Sequence, residues 1–209
     1  MMAPALTSRS NEALSNYLRN ALLGTAALVW LTSVAPSVRA EELTAEMVTN
    51  MGTIKIALNK EKAPQTVENF VRYAEAGFYN GTIFHRVIGD FMIQGGGFDK
   101  DLNKKPTEKP IRNESDNGLG NEPYTIAMAR TSDPHSATSQ FFINTADNRA
   151  GLDDPPQPDR WGYAVFGKVV EGKEVVDKIK QVATRPRGGG HANVPIEPVI
   201  IEKVTIEKK

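Results

Sequence analysis

The sequence predicts a mainly β protein whose antiparallel strands close into a barrel or pack as a sandwich. Short apolar stretches recur along the chain, separated by segments rich in Gly, Pro, Asn and Asp that mark turns. Only two segments carry the helical spacing of apolar residues. The helices are too few, and the strands too close together, for a parallel sheet whose strands are joined by helices.

Each predicted element rests on a local pattern. A hairpin is predicted over residues 46–58, where a turn at 50–52 precedes alternating apolar residues. A helix is predicted over residues 64–76, because Pro64 suits a first turn and Gly77 suits a C-cap. Further strands are predicted at 82–88, 91–94, 125–129, 140–144, 162–170 and 199–206. A second helix is predicted at 173–182, and loops at 99–123, 147–160 and 185–195.

The first forty residues have the order of a secretory signal. Arg9 and Arg19 lie in a polar start, an 11-residue apolar run covers 21–31, and Ala40 precedes the expected cleavage point. The run is shorter than the roughly 20 residues that span a bilayer. We therefore expect a signal peptide at residues 1–40, a mature domain at 41–209, and export to a bacterial periplasm. An uncleaved membrane anchor is the alternative.

Composition excludes several classes of protein. The chain of 209 residues has no Cys and three His, which removes disulfides, thiolate nucleophiles and Cys-based metal sites. Its 25 basic and 25 acidic residues give no basic excess for nucleic acid. The segment Gly95–Gly97 lacks the spacing of a phosphate-binding loop, and no G-x-S-x-G elbow supports a serine hydrolase. We expect no metal, no cofactor and no nucleic-acid partner.

Three polar side chains interrupt the predicted apolar strands. They are Arg86, Gln94 and Gln140. Strand alternation places Arg86 on the face of Ile88, and it allows Phe84 on the same face.

The same alternation pairs Gln94 with Met92 and Gln140 with Phe142. One surface could therefore carry an arginine, two glutamines and several large apolar side chains. Each residue also has a plainer alternative. Arg86 could form a surface ion pair, the glutamines could occupy strand edges, and Met92, Phe142 and Phe91 could be core.

Three ordered motifs resemble the cyclophilin family of peptidyl-prolyl cis-trans isomerases. The first comprises Phe84–Ile88 and Phe91–Gly96, the second is Ser139–Ile143, and the third is Val165–Val169. The helix around Glu68–Phe70 resembles the family's first helix. The resemblance covers roughly residues 44–207. It implies a closed eight-stranded antiparallel barrel capped by two α-helices, with an external groove.

The resemblance is strongest to secreted bacterial members, through Ala127–Arg130 and Gly162–Gly167. It implies that Arg86 acts electrostatically on the prolyl amide, with Gln94 and Phe91 as the other catalytic residues. The substrate-binding residues that it implies are Met92, Ala127, Met128, Gln140, Phe142, Leu152 and Tyr163. Ala127 and Met128 would offer main-chain groups.

Three departures from the family pattern stand out. Tyr163 occupies the groove-rim position where animal members carry a His. Gly151, next to Leu152, replaces a Trp found in many eukaryotic members, which predicts weak cyclosporin binding; Trp161 could swing toward that gap. The turn Gly89-Asp90 replaces the commoner Pro-Gly.

The resemblance implies an enzyme that isomerises X–Pro bonds in unfolded or exported polypeptides and so assists folding. The alternative is a chaperone module that binds proline-containing peptides with little turnover. An arginine directed at the amide favours the enzyme, because binding alone would not require it. We expect a monomer without stable membrane insertion once the signal is removed.

Overall fold

The computed structural model describes residues 43–153 and 161–208. The predicted signal peptide and most of the Pro-rich segment after Asp153 lie outside this part. The strands are β1 (Leu43–Thr49), β2 (Gly52–Leu58), β3 (Thr82–Ile88), β4 (Met92–Asp99), β5 (Thr125–Met128), β6 (Phe141–Asn144), β7 (Val165–Glu171), β8 (Thr184–Arg187), β9 (His191–Pro195) and β10 (Ile200–Lys208). The helices are α1 (Pro64–Glu75), α2 (Arg149–Leu152) and α3 (Lys173–Ile179).

Eight of the strands close into a barrel. Their order is β1-β10-β3-β4-β6-β5-β7-β2, and every neighbouring pair is antiparallel. Closure removes the unpaired edges that an open sheet would expose. The predicted fold class, a mainly β closed barrel of eight antiparallel strands, is confirmed.

Helix α1 covers the core with one face and is capped at both ends. Val67 and Phe70 are fully buried, and the Phe70 ring packs edge-on to Phe141 at 5.7 Å. Gly77, at φ +67°, ends the helix as predicted, and the next N–H returns to the Tyr73 carbonyl at 3.0 Å. The first turn is capped by the buried carboxylate of Glu114, from the long loop after β4.

Strands β5 and β6 are buried on both faces along their whole length, as are most of β4 and the first three residues of β7, which explains their nearly continuous apolar sequence. The inner residues join one core cluster, whereas Met92, Ala127, Phe142 and Val165 form a second cluster on the outer face. Neighbours in sequence therefore belong to different clusters: Phe141 is inner and Phe142 is outer. The second cluster is the floor of the groove described below.

The structure corrects three predicted elements. Strand β4 continues through the glycines to Asp99 and does not end at residue 94. The segment 185–195, predicted as a loop, contains strands β8 and β9, which pair with each other outside the barrel. Their exposed residues do not alternate, so the pattern carried no strand signal. A single helical turn, α2, also lies within the predicted loop 147–160.

No helix in the described part of the chain is long and apolar enough to cross a bilayer. The predicted signal peptide and its cleavage point after Ala40 fall outside the described residues.

Candidate active site

A β-bulge in strand β3 directs Arg86 into the groove. Phe84 pairs with Gly95 and Arg86 pairs with Gln94, so two steps along β3 match one step along β4. The extra residue, His85, reverses the side on which the following residues emerge. Phe84 is fully buried in the inner core, and the prediction that it could share the face of Arg86 is wrong.

The three polar side chains predicted from the strands lie in one row formed by β3, β4 and the residue just before β6. Arg86 Nη1 lies 3.5 Å from Gln94 Oε1, and Gln94 Nε2 donates to Gln140 Oε1 at 3.0 Å. Because Gln94 accepts on one side and donates on the other, its amide orientation is fixed by both neighbours. The row holds the guanidinium at a defined place at the edge of the groove.

An apolar cavity of about 290 Å³ lies beside this row. Its lining residues are Arg86, Phe91, Met92, Gln94, Ala129, Arg130, Phe142, Leu152 and Tyr163. The Arg86 guanidinium carbon lies 5.9 Å from the centroid of the Phe91 ring. The cavity therefore combines an apolar floor with a cation at its margin.

Seven of the ten predicted site residues line this apolar cavity, and three do not. Gln140 reaches it only through Gln94. Ala127 is fully buried beneath it, in the outer cluster. Met128 belongs to the inner core, and its N–H is donated to the Ala164 carbonyl at 3.1 Å.

Of the segment Ala127–Arg130, the structure places Ala129 and Arg130 at the cavity, in place of the predicted Ala127 and Met128. Strand β5 ends at Met128, so the next two residues turn outward over the cavity. The sequence singled out the segment Ala127–Arg130 but not its last two residues as lining. The apolar run ends at this point of the sequence, and this end could have indicated that the next side chains are free to face the groove.

Arg130 is fixed by three carbonyl groups. Its Nε donates to Gly162 O at 3.3 Å, Nη1 donates to Thr131 O at 2.9 Å, and Nη2 donates to Trp161 O. The guanidinium carbon also lies 4.5 Å from the Tyr163 ring centroid. Arg130 thus connects strand β5 to the groove rim.

A second, polar cavity of about 270 Å³ adjoins the first and shares Gln94, Ala129 and Arg130 with it. Its other lining residues are Lys104, Thr107, Thr131, Ser136, Thr138 and Gln140. Lys104 and Thr107 belong to the loop at 99–123, which the sequence analysis treated only as surface.

The rim positions flagged as departures have clear surroundings. Tyr163 packs edge-on to Phe142, with ring centroids 5.6 Å apart. A side-chain carbon at Gly151 would meet no atom of residues 43–153 and 161–208 within 4 Å, so these residues leave the place of a bulky side chain open. Trp161 packs against His135 at 5.0 Å and does not line the apolar cavity.

The bulge residue His85 is a buried imidazole directly beside Arg86. Burial, together with smaller contributions from the nearby His191 and Arg86, lowers its pKa from 6.5 to about 4. His85 Nδ1 has no hydrogen-bond partner in the described part of the chain. The side chain is therefore neutral at pH 7 and adds no charge to the groove.

Together these features define a class of protein. A closed barrel carries an external groove, and the groove pairs an apolar cavity with an arginine held by two glutamines. Such a site can bind a short apolar segment of a chain and place hydrogen-bond donors against its backbone. No group of three or more His, Asp or Glu in residues 43–153 and 161–208 could hold a metal ion.

Comparison with known proteins identifies the family. Residues 44–206 match the model of the cyclophilin type peptidyl-prolyl cis-trans isomerases. The chain is 57% identical over 163 residues to a peptidyl-prolyl cis-trans isomerase of Streptomyces antibioticus, covering 78% of this chain and 98% of the relative. It is 54% identical over 180 residues to peptidyl-prolyl cis-trans isomerase A of Dickeya dadantii, covering 86% and 93%.

A solved structure agrees with these relatives. The cyclophilin type isomerase of Cryptosporidium parvum, crystallised in the presence of the dipeptide Ala-Pro, matches with a TM-score of 0.66 at 25% identity. The match covers 79% of this chain and 99% of that one. The chain belongs to the cyclophilin family of peptidyl-prolyl cis-trans isomerases, and its reaction is the rotation of X–Pro peptide bonds.

Proposed function

We propose that the protein accelerates X–Pro isomerisation in unfolded or exported polypeptides by stabilising the twisted amide with Arg86. The observation that supports this proposal is the position of Arg86 beside the apolar cavity, fixed through Gln94. The proline ring would enter the cavity over Met92 and Phe142. The amide bond would then lie at the margin, where the guanidinium can reach it.

The reaction itself explains why these residue types suffice. Rotation about a peptide bond must cross a barrier of about 18–20 kcal/mol, although the two X–Pro isomers differ by only about 0.5–1 kcal/mol. No covalent bond is broken, so no nucleophile is needed. Shortening a step of about 100 s to about a millisecond requires roughly 7 kcal/mol of preferential transition-state stabilisation.

Arg86 can supply part of this preference electrostatically. When the X–Pro bond twists, conjugation is lost and the imide nitrogen gains a lone pair that can accept a hydrogen bond. A guanidinium donor directed at this nitrogen therefore binds the twisted form more tightly than either planar isomer. Its rigid fork also allows a second donor to hold the prolyl carbonyl oxygen.

The other lining residues take supporting roles in this proposal. Phe91, Met92, Phe142 and Leu152 exclude water from the proline ring, and Tyr163 closes the rim. Gln94 fixes Arg86, and Gln140 fixes Gln94. Ala129 and Arg130 are better placed than Ala127 and Met128 to offer main-chain groups to the substrate.

The proposal extends to location and ligands. The order of basic, apolar and small residues in 1–40 supports export to the periplasm after cleavage, where exported chains would be the substrates and folding would be assisted. The open space at Gly151 supports weak cyclosporin binding, because no side chain among the described residues fills the position next to this glycine. A monomer is proposed for the mature protein.

Exchange spectroscopy tests the function. The purified protein is mixed with a short Ala-Pro peptide, and cis–trans exchange is followed by NMR without a coupled protease. We expect strong catalysis by the parent. We expect the catalysed exchange rate to fall at least tenfold in Arg86→Ala, in line with the roughly 10²-fold loss of rate when one electrostatic donor is removed. Arg185→Ala removes an exposed arginine on β8 that lines neither cavity, and it should keep the parent rate.

The outcomes separate the enzyme from the binding module. Equal rates for the parent and Arg86→Ala would contradict the role of Arg86 even in an active protein. A folded parent that binds the peptide without accelerating exchange would instead support a proline-peptide-binding chaperone module.

A further inference from the structure

The polar cavity lies where residues flanking a bound proline would pass. It shares Gln94, Ala129 and Arg130 with the apolar cavity, so a chain that fills one must run along the other. Extended residues advance about 3.3–3.6 Å each, which places the second or third residue from the proline within this space. The chemistry of the polar cavity therefore bears on which sequences are accepted.

The charge around the two cavities is entirely positive. Arg130 and Lys104 line the polar cavity, and Arg86 and Arg130 line the apolar one. Neither cavity is lined by a carboxylate. Within the described part of the chain, Arg86, Lys104 and Arg130 form no ion pair with a carboxylate at 4 Å or less. This concentration of positive charge stands out in a chain of formal net charge zero.

The charge of Arg130 is positioned but not neutralised. Its three hydrogen bonds go to neutral carbonyl groups, which hold the guanidinium in place without cancelling its charge. A guanidinium has five N–H donors, so two remain without a partner in the described residues. The half-buried site weakens the screening by water that reduces the attraction of fully exposed cations.

The acidic side chains that lie close to Lys104 and Arg130 in sequence have other partners. Asp99 accepts hydrogen bonds from the Asn103 and Asp101 backbone, and Asp101 pairs with Lys100 at 2.9 Å. Asp133 accepts from the His135 backbone at 2.9 Å and does not line the polar cavity. Lys104 is exposed and forms no hydrogen bond through its Nζ with any described residue, so it can turn toward a ligand.

We propose that the polar cavity is a specificity subsite that binds a carboxylate side chain of the substrate, an Asp or Glu within three residues of the isomerised proline. Arg130 provides the fixed donors, and Lys104 provides a mobile cation at the rim. The small hydroxyl side chains of Thr107, Ser136 and Thr138 leave room for a carboxylate, and those of Thr107 and Thr138 can donate to it. This inference rests on the proposed function, since it names the substrates that the groove prefers.

A peptide series tests the subsite. Each peptide contains one Ala-Pro bond and carries a single Glu at one position within three residues on either side of the proline. A matched peptide carries the neutral and nearly isosteric Gln there. NMR exchange at low salt gives kcat/KM for each. At one or more positions we expect the Glu peptide to exceed its Gln partner by about threefold to tenfold, the range for partly solvated ion pairs. The ratio should approach one in about 0.5 M salt, because the charges are then screened.

Variants assign the effect to the polar cavity. Lys104→Glu should bring the Glu-to-Gln ratio to one or below, and Lys104→Gln should reduce it. Lys109→Glu makes the same change on the same loop at an exposed residue outside both cavities, and it should keep the parent ratio. A ratio of one at every position in the parent would overturn the proposal, as would a ratio that Lys104→Glu leaves unchanged.

Failure of this inference is distinguishable from failure of the proposed function. Catalysis of Gln peptides without preference for Glu removes only the subsite. If the protein isomerises no peptide faster than the uncatalysed rate, the proposed function fails. NMR titration then still measures whether Glu peptides bind more tightly than Gln peptides.

Discussion

His85 shows how one residue beside the groove connects burial with pH. Its imidazole is 5% exposed, packs 4.7 Å from the Phe98 ring, and leaves Nδ1 unpaired within the described residues. Burial without a partner for Nδ1 favours the neutral imidazole over the charged form. The nearby His191 and Arg86 lower the pKa of His85 in the same direction.

The folded protein should therefore lose stability as the pH falls from about 6.5 to about 4. In this window the unfolded chain protonates His85, whose pKa is ordinary there, whereas the folded protein does not because its pKa is about 4. The loss is at most about 3 kcal/mol, since one pKa unit corresponds to about 1.4 kcal/mol. Urea unfolding at a series of pH values measures it.

A His85→Phe variant serves as the comparison, because it keeps an aromatic ring against Phe98 but cannot titrate. Its stability should vary less with pH between 6.5 and 4 than that of the parent. Carboxylates such as Asp99 and Asp177, whose pKa values are lowered, act only below this window. Equal pH dependence in both proteins would mean that His85 is not the group responsible.

At the scale of elements, the glycines of β4 let Phe141, Tyr79 and Gln140 pack directly against the strand backbone. Gly96 has φ +80°, and a Cβ there would lie 2.7 Å from the Phe141 ring and 3.0 Å from the Tyr79 ring. A Cβ on Gly97 would lie 2.4 Å from Gln140 Cγ. The strand runs through these glycines because its neighbours fill the space that side chains would take.

Gly96→Ala should destabilise the protein by about 2–5 kcal/mol, which combines a left-handed backbone with overpacking against two buried rings. Gly81→Ala is the matched control, because Gly81 also has positive φ, +75°, but no atom lies within 4 Å of its Cβ position. Gly81→Ala should lower the free energy of unfolding by only about 1–2 kcal/mol. Chemical denaturation measures both values. Similar losses in the two variants would show that the ring contacts do not matter.

How far each element could be predicted depends on the range of the contacts that form it. Helix α1 and the hairpin of β1 and β2 follow from local periodicity and turn residues, and they were predicted nearly to their ends. The bulge at His85 and the cap that Glu114 supplies to Thr66, 48 residues away, depend on contacts between distant segments. No local pattern encodes such contacts.

For the whole molecule, closure of the barrel turns scattered motifs into one site. Arg86 lies on β3, Gln94 lies on β4, and Gln140 directly precedes β6. Pairing of these strands in the barrel places the three side chains in one row. Alternation alone predicted which residues share a face on β4 and β6. The contribution of Arg130 and Lys104 could not be predicted, since both follow strand ends where the sequence has no periodic constraint.

The central claim is that Arg86 acts on the twisted amide and not on the bound ground state. Arg86→Lys tests it most directly, because it keeps the positive charge and removes the fork of donors. NMR line shapes of one Ala-Pro peptide report the exchange rate on the enzyme and the dissociation constant together. We expect the exchange rate at saturation to fall by at least tenfold while the dissociation constant changes less than about threefold. A fall in affinity with an unchanged rate at saturation would contradict the account.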